Sequence, residues 1–450
     1  MDADVLHRRT NWHDECVPPD LVDRLLALGH TDVVRGAAVA EDGDWFCARA
    51  WARLLVDRGE LDEALDVLDP YVGTGWWPAA EEAARLLDDG GRGEAAIALV
   101  GPFARDGERI ALRGLALLLA RHGRGEEAYE LLVPHVTDWL IAEALVEVGV
   151  GVGRGDEVAE LLEARLAPGN VCVRCGDREC GTRSTEPFNA ASLLASVREK
   201  QGRTDEAIAV LRSYDPVVVN NRDALAELLV RHDRLDELRA YVAGRSPWEA
   251  ARRLAEVLEE RGDIAGAVDA YRMHGDQDRC HTSILLSELL ARHGRGAEAI
   301  EVMRALDSAE DWIVDPLCEL FAAEGRAEEG LAHLDALKAR RGREEWEIHR
   351  LRAPLMAACG RLDEAIADAK SHPEGGGPYA AESLARLLAE AGRPEDAVAL
   401  LDTDRLEHAR VLGPLLVELG RIEEAVSLLR TPRPQAPPPP PIGYSDCPPF

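Results

Sequence analysis

Arg58-Gly59-Glu60-Leu61-Asp62-Glu63-Ala64 is a helix stop followed at once by a helix start. The glycine supplies a left-handed position that closes one helix, and the arginine beside it falls near that helix's negative end. The acidic pair then opens the next helix, where negative charge suits the exposed N–H groups. The stretch returns as Gly123-Arg124-Gly125-Glu126-Glu127-Ala128, Gly202-Arg203-Thr204-Asp205-Glu206-Ala207 and Gly360-Arg361-Leu362-Asp363-Glu364-Ala365. The unit is a helical hairpin, and the chain reads as an array of them.

With the glycine as anchor, copies fall at Gly29, Gly59, Gly91, Gly123, Gly153, Gly202, Gly262, Gly294, Gly325, Gly360, Gly392 and Gly420, and Asp233 replaces glycine in a thirteenth. Successive anchors lie 28 to 35 residues apart, with one interval of 49, a period that marks a solenoid. Two columns test the register. Seven residues before the anchor come Ala52, Ala84, Ala116, Ala195, Ala226 and Ala255, and in later copies Ser287, Cys318 and Gly413. Five residues after it come Ala64, Ala96, Ala128, Ala207, Ala267, Ala299 and Gly330. Small residues in both columns let paired helices approach closely.

These columns and the Gly-x-x-x-x-Ala junction resemble the tetratricopeptide repeat (TPR) family over roughly residues 17–430. The resemblance implies an all-α, right-handed solenoid of about thirteen hairpins without a β-sheet, and a concave face that binds protein segments. Two departures make it TPR-like. Most intervals are shorter than the usual period of about 34. The aromatics are displaced to fourteen residues before the anchor, at Trp45, Trp77, Trp139, Phe188, Trp248 and Trp346, with Trp312 one place later.

The resulting organisation is a lead-in at 1–16, repeats at 17–166, an insertion at 167–187, repeats at 188–430 and a Pro-rich tail at 431–450. A formal charge of −31 opposes direct binding to DNA or RNA. The N-terminal residues contain no apolar run and no stretch is long enough to span a bilayer, so no membrane association and a cytoplasmic location are expected. Arginine far outnumbers lysine, and the abundance of Ala, Leu, Gly and Asp suggests a high-GC bacterial source.

No catalytic motif or phosphate loop occurs, so no enzyme is expected. His122, His232 and His293 each precede an anchor and read as a structural column. The exception is Cys172-x-x-Cys175-x-x-x-x-Cys180 inside the insertion. Two thiolates at this spacing, with a third nearby, suit a structural zinc ion, although no fourth ligand is evident. Reduced, unliganded thiols are the alternative, and a redox pair would be expected beside a βαβ unit, which is missing.

The leading function is a non-enzymatic scaffold for a protein or peptide. The alternatives are a metal- or thiol-dependent enzyme or redox protein centred on residues 172–180, and a regulatory sensor acting with a separate DNA-binding partner. In the TPR family the first helix of each hairpin lines the groove. Residues ten and six before each anchor share one face of that helix. They give Glu143, Glu147, Asp223, Glu227, Glu256, Glu288, Asp315 and Glu319 as partner-binding candidates, flanked toward the ends by Arg49, Arg53, Arg113, Arg350, Arg386 and Arg410. An acidic middle of this kind is expected to attract a basic segment.

Overall fold

The computed structural model describes residues 2–432, apart from 167–186 and the short stretches 215–217, 220–221, 245–246, 274–278, 308–309, 343–344 and 376. The Pro-rich tail from residue 433 and the cysteines at 172, 175 and 180 lie outside the described residues. Helices succeed one another from Ala3–Trp12 to Ile422–Arg430. Extended pairing among the described residues is limited to Val218–Val219 against Arg222–Asp223, antiparallel and too short to form a layer. The fold is all-α, built of repeated helical hairpins. No described helix is long and apolar enough to cross a membrane.

Every anchor closes a helix as its sequence demands. All twelve glycines have φ between 67° and 85°, and Asp233 adopts φ 55° without being glycine. At Gly59 the helix Trp45–Asp57 ends when the Gly59 N–H reaches the Val56 carbonyl at 2.8 Å and the Glu60 N–H reaches the Leu55 carbonyl at 2.9 Å. That pairing satisfies carbonyls which the helix itself leaves open. Five residues after the anchor comes the small column. Ala64, Ala96, Ala128, Ala207, Ala267 and Ala299 are all completely buried between paired helices. At Gly330 even a methyl group is too much, since a Cβ would stand 2.9 Å from Leu355 and 3.1 Å from Phe321.

The arginine after the anchor behaves differently from the sequence expectation. It is the N-cap of the next helix and makes no side-chain cap bond. Its guanidinium faces forward onto the acid three residues on, as in Arg124–Glu127 at 2.8 Å, Arg326–Glu329 at 2.7 Å and Arg361–Glu364 at 2.6 Å. The other acid of the pair serves the following repeat. Arg154 reaches Glu126 at 2.9 Å, and Arg234 reaches Asp205 at 2.8 Å. One acid thus holds its own junction and its neighbour holds the next, which links hairpins in register.

The chain divides into two compact units, one of Met1–Ala79 with Ile366–Phe450 and one of Ala80–Ala365. In the first, the helix Pro19–Ala27 packs on the helix Leu406–Glu418. Arg430 meets Asp42 at 2.9 Å, and Arg410 donates to the Trp12 carbonyl. The lead-in is the helix Ala3–Trp12, whose Leu6 is buried. Asp44, also buried, accepts from the Val17 N–H at 2.6 Å and the Cys47 N–H at 3.0 Å, tying the start of the first repeat to the helix Trp45–Asp57.

Candidate partner-binding face

The candidate face belongs to the second unit and is built from first helices of successive hairpins. These are Arg109–Arg121, Trp139–Gly151, Ala190–Lys200, Ala224–Arg231, Trp248–Glu260, Arg279–Arg292, Asp311–Ala323 and Trp346–Ala358. Most run from about fourteen to two residues before the anchor; three of them open on a tryptophan, Trp139, Trp248 and Trp346, and the left-handed anchor ends each.

The eight carboxylates selected from sequence divide into three groups. Glu147, Glu288 and Glu319 are exposed and make no ion pair with a described residue. Glu143, Glu227, Glu256 and Asp315 stand on the same face but are engaged by neighbours. Arg253 bridges Glu227 at 3.2 Å and Glu256 at 3.3 Å, while Arg252 holds Glu256 at 2.6 Å. Arg350 of the following repeat holds Asp315 at 2.9 Å. Burial raises the Glu143 carboxyl above its ordinary value, and the charge of Arg113 in the preceding repeat pulls it back. Arg113 acts on Glu81 in the same way from the other side.

Asp223 leaves the set. It is buried at 1% exposure and caps the helix Ala224–Arg231, accepting from the Ala226 N–H at 2.7 Å and the Tyr241 hydroxyl at 2.9 Å. Its helix starts one residue later, five short of the usual length, so counting back ten residues from the anchor reaches a cap. The acidic-middle, basic-end gradient is also modified. Ten residues before the anchor, Arg113 stands between Glu81 and Glu143 and offsets both; the carboxylates without an ion pair among the described residues, Glu147, Glu288 and Glu319, lie six residues before it.

Both ends of these helices are tied to the next hairpin. Near the C-terminal end, Arg121 and His122 grip Asp88 at 2.7 and 2.6 Å. Arg231 and His232 grip Glu199, both at 2.8 Å, and Arg292 and His293 grip Glu259 at 2.9 and 2.8 Å. The hydrogen bond from His122 holds Asp88 below the usual carboxylate range, and Arg231 and Arg292 do the same for Glu199 and Glu259. The histidine column is structural, as its repetition implied. The sequence also showed the missed partner, an acid three residues before the preceding anchor wherever Arg-His precedes the next.

At the N-terminal end the aromatics stack across repeats. Arg109 lies over Trp139 at 5.6 Å, and Trp139 meets Phe188 at 5.9 Å. Farther along, Trp248, His281 and Trp312 form a run with centroids 5.2 and 5.3 Å apart.

No group of three or more potential metal-binding side chains occurs among the described residues. Burial pushes the thiols of Cys16 and Cys47 well up and that of Cys318 up to about 12. These three remain protonated packing groups, poor nucleophiles and poor ligands.

No protein-family description matches the chain, and no curated protein matches its sequence. Among solved structures it is similar to the pentatricopeptide repeat protein PPR10 from maize, at 17% identity and a TM-score of 0.33, covering 90% of this chain. It spans 60% of PPR10's length. A tetratricopeptide repeat protein from Parabacteroides merdae matches at 15% identity and a TM-score of 0.29, over 67% of this chain and 99% of its own. The Naa15/Naa10 assembly bound to HypK matches at 14% and 0.25, over 85% of this chain and 62% of that one. The repeat architecture therefore stands on the hairpins themselves.

Proposed function

We propose that this chain is a non-enzymatic scaffold that holds a protein or peptide partner on the face of its first helices. The observation that carries this is the trio Glu147, Glu288 and Glu319, exposed and without an ion pair among the described residues, on a surface where neighbouring carboxylates are tied to arginines. Glu143, Glu227, Glu256 and Asp315 border the same face. Stacked hairpins present such faces side by side, which suits an extended segment. A net charge of −31 favours a polypeptide over a nucleic acid, whose phosphates it repels. A cytoplasmic setting belongs to the same proposal.

The test uses a partner captured from native lysate and measures its association with charge-reversal variants. Glu288→Lys with Glu319→Lys should slow association steeply at low salt, because complementary fields act chiefly on encounter. Glu160→Lys, on the second helix Gly155–Leu166, should leave it near the parental rate. Equal effects at both places would contradict the assignment.

A further inference from the structure

The rings of Trp248, His281 and Trp312 have a second relationship beyond stacking. Trp248 opens its helix, His281 is third in the helix Arg279–Arg292, and Trp312 is second in the helix Asp311–Ala323. Seven or eight residues farther along each helix stands a carboxylate: Glu256, Glu288 and Glu319. The offset of seven, from His281 to Glu288 and from Trp312 to Glu319, returns to the same helical stripe about 10 Å along the axis, and the offset of eight sets Glu256 about 80° to the side of Trp248. The three helices are neighbours in the stack. Two parallel rows therefore cross three hairpins, one of aromatic rings and one of carboxylates.

The rings are more than packing material. Trp312 is 48% exposed and His281 is exposed. Trp248 and His281 are within 9° of parallel, so the row presents ring surface and edges to whatever lies across it. In the second row, Glu288 and Glu319 make no ion pair among the described residues.

We propose that these two rows hold an arginine-rich segment of the partner, an inference that rests on the scaffold function above. A guanidinium can lie flat on an indole and also donate to a carboxylate in a forked geometry, and it sheds water more readily than an ammonium. An apolar helix laid here would bury Glu288 and Glu319 without partners, which is costly. An acidic or phosphorylated segment would meet like charge. Arginine satisfies both rows at once.

The experiment uses the full chain and three fluorescent peptides of equal length, rich in arginine, lysine or glutamate. The arginine peptide should bind and quench tryptophan emission, the lysine peptide should bind more weakly, and the glutamate peptide should not bind. Trp312→Ala, and Glu288→Gln with Glu319→Gln, should each weaken arginine-peptide binding by about three- to thirty-fold. Glu160→Gln should change it less than about twofold. Thermal melts of each variant separate lost binding from lost folding, and Trp248→Phe retains an aromatic ring if Trp312→Ala melts early. Equal losses at Glu160→Gln would make the attraction a diffuse property of an acidic protein and overturn the site. Lysine binding equal to arginine, with Trp312→Ala silent, would reduce the rings to packing. If no basic peptide binds while the captured partner still responds to Glu288→Lys and Glu319→Lys, arginine recognition fails and the scaffold survives. If neither responds, both fail.

Discussion

His232 Nε2 lies 2.8 Å from Glu199 Oε1, across the boundary between two successive hairpins, with Arg231 on the same carboxylate at 2.8 Å. His122 with Asp88 and His293 with Glu259 repeat the arrangement. Each clamp joins the closing turn of one first helix to that of the next.

The clamps make local stability sensitive to acid. Asp88, Glu199 and Glu259 are held below the ordinary carboxylate range in the folded chain, so their contribution is complete above about pH 5. It disappears as pH falls through the lowered values, when the folded carboxylates take up protons. Because these sites are partly solvated, Glu259→Gln should cost only about 0.2–1 kcal/mol at neutral pH. Hydrogen exchange in the helices Trp248–Glu260 and Arg279–Arg292, compared with the parent from neutral to acidic pH, should show a difference that vanishes below the carboxylate range. A difference that persists at low pH would assign it to packing.

The anchors predict opposite outcomes for two substitutions. Gly123 is at φ 78° with open space around it, so Gly123→Val should cost about 1–2 kcal/mol or more from backbone strain alone. Asp233 holds φ 55° as a non-glycine residue and pairs with Arg261 at 2.7 Å in an exposed position. Asp233→Gly relieves the strain and loses a weak pair, so stability should stay level or rise by up to about 1 kcal/mol. Denaturation midpoints decide both.

Gly330→Ala should destabilise for a different reason, crowding against Leu355 and Phe321. The expected cost is about 1–3 kcal/mol. Restoring volume with Leu355→Val in the same chain should recover part of it. No recovery would place the cost in the backbone.

The anchors and small columns were legible because each reports a hard local constraint, a left-handed turn at Gly59 or a methyl-sized gap at Ala64. What escaped was the partner of each charge. Arg124 borders a helix end in the sequence, yet its guanidinium reaches forward to Glu127 at 2.8 Å. Counting ten residues back from Asp233 puts Asp223 on a helix face only for a helix of standard length, and that helix begins at Ala224. Neutralisation of Glu143 or Asp315 depends on side chains one repeat away, which spacing within a hairpin does not reveal.

Asp223 and Glu288 therefore separate stability from binding. Asp223→Ala removes a cap and leaves the Tyr241 hydroxyl without its acceptor, which should cost about 1–3 kcal/mol. Partner association at temperatures where the variant is folded should be unchanged. Glu288→Gln should do the reverse, preserving the melt and slowing association. Surface resonance with paired thermal melts reads both quantities.

For Cys172, Cys175 and Cys180 the spacing remains the ground for proposing a structural zinc ion. Protein purified without added metal should contain zinc near one equivalent, and Cys175→Ser should remove it. Substoichiometric metal that the substitution leaves unchanged would discard the proposal.

Hydrogen exchange of the full chain with and without its captured partner tests the binding face most directly. Protection is predicted in the first helices Trp248–Glu260, Arg279–Arg292 and Asp311–Ala323, with the intervening second helices Ile264–Met273 and Gly296–Arg304 changing little. Protection confined to the second helices, or to Met1–Ala79 and Ile366–Phe450, would contradict it.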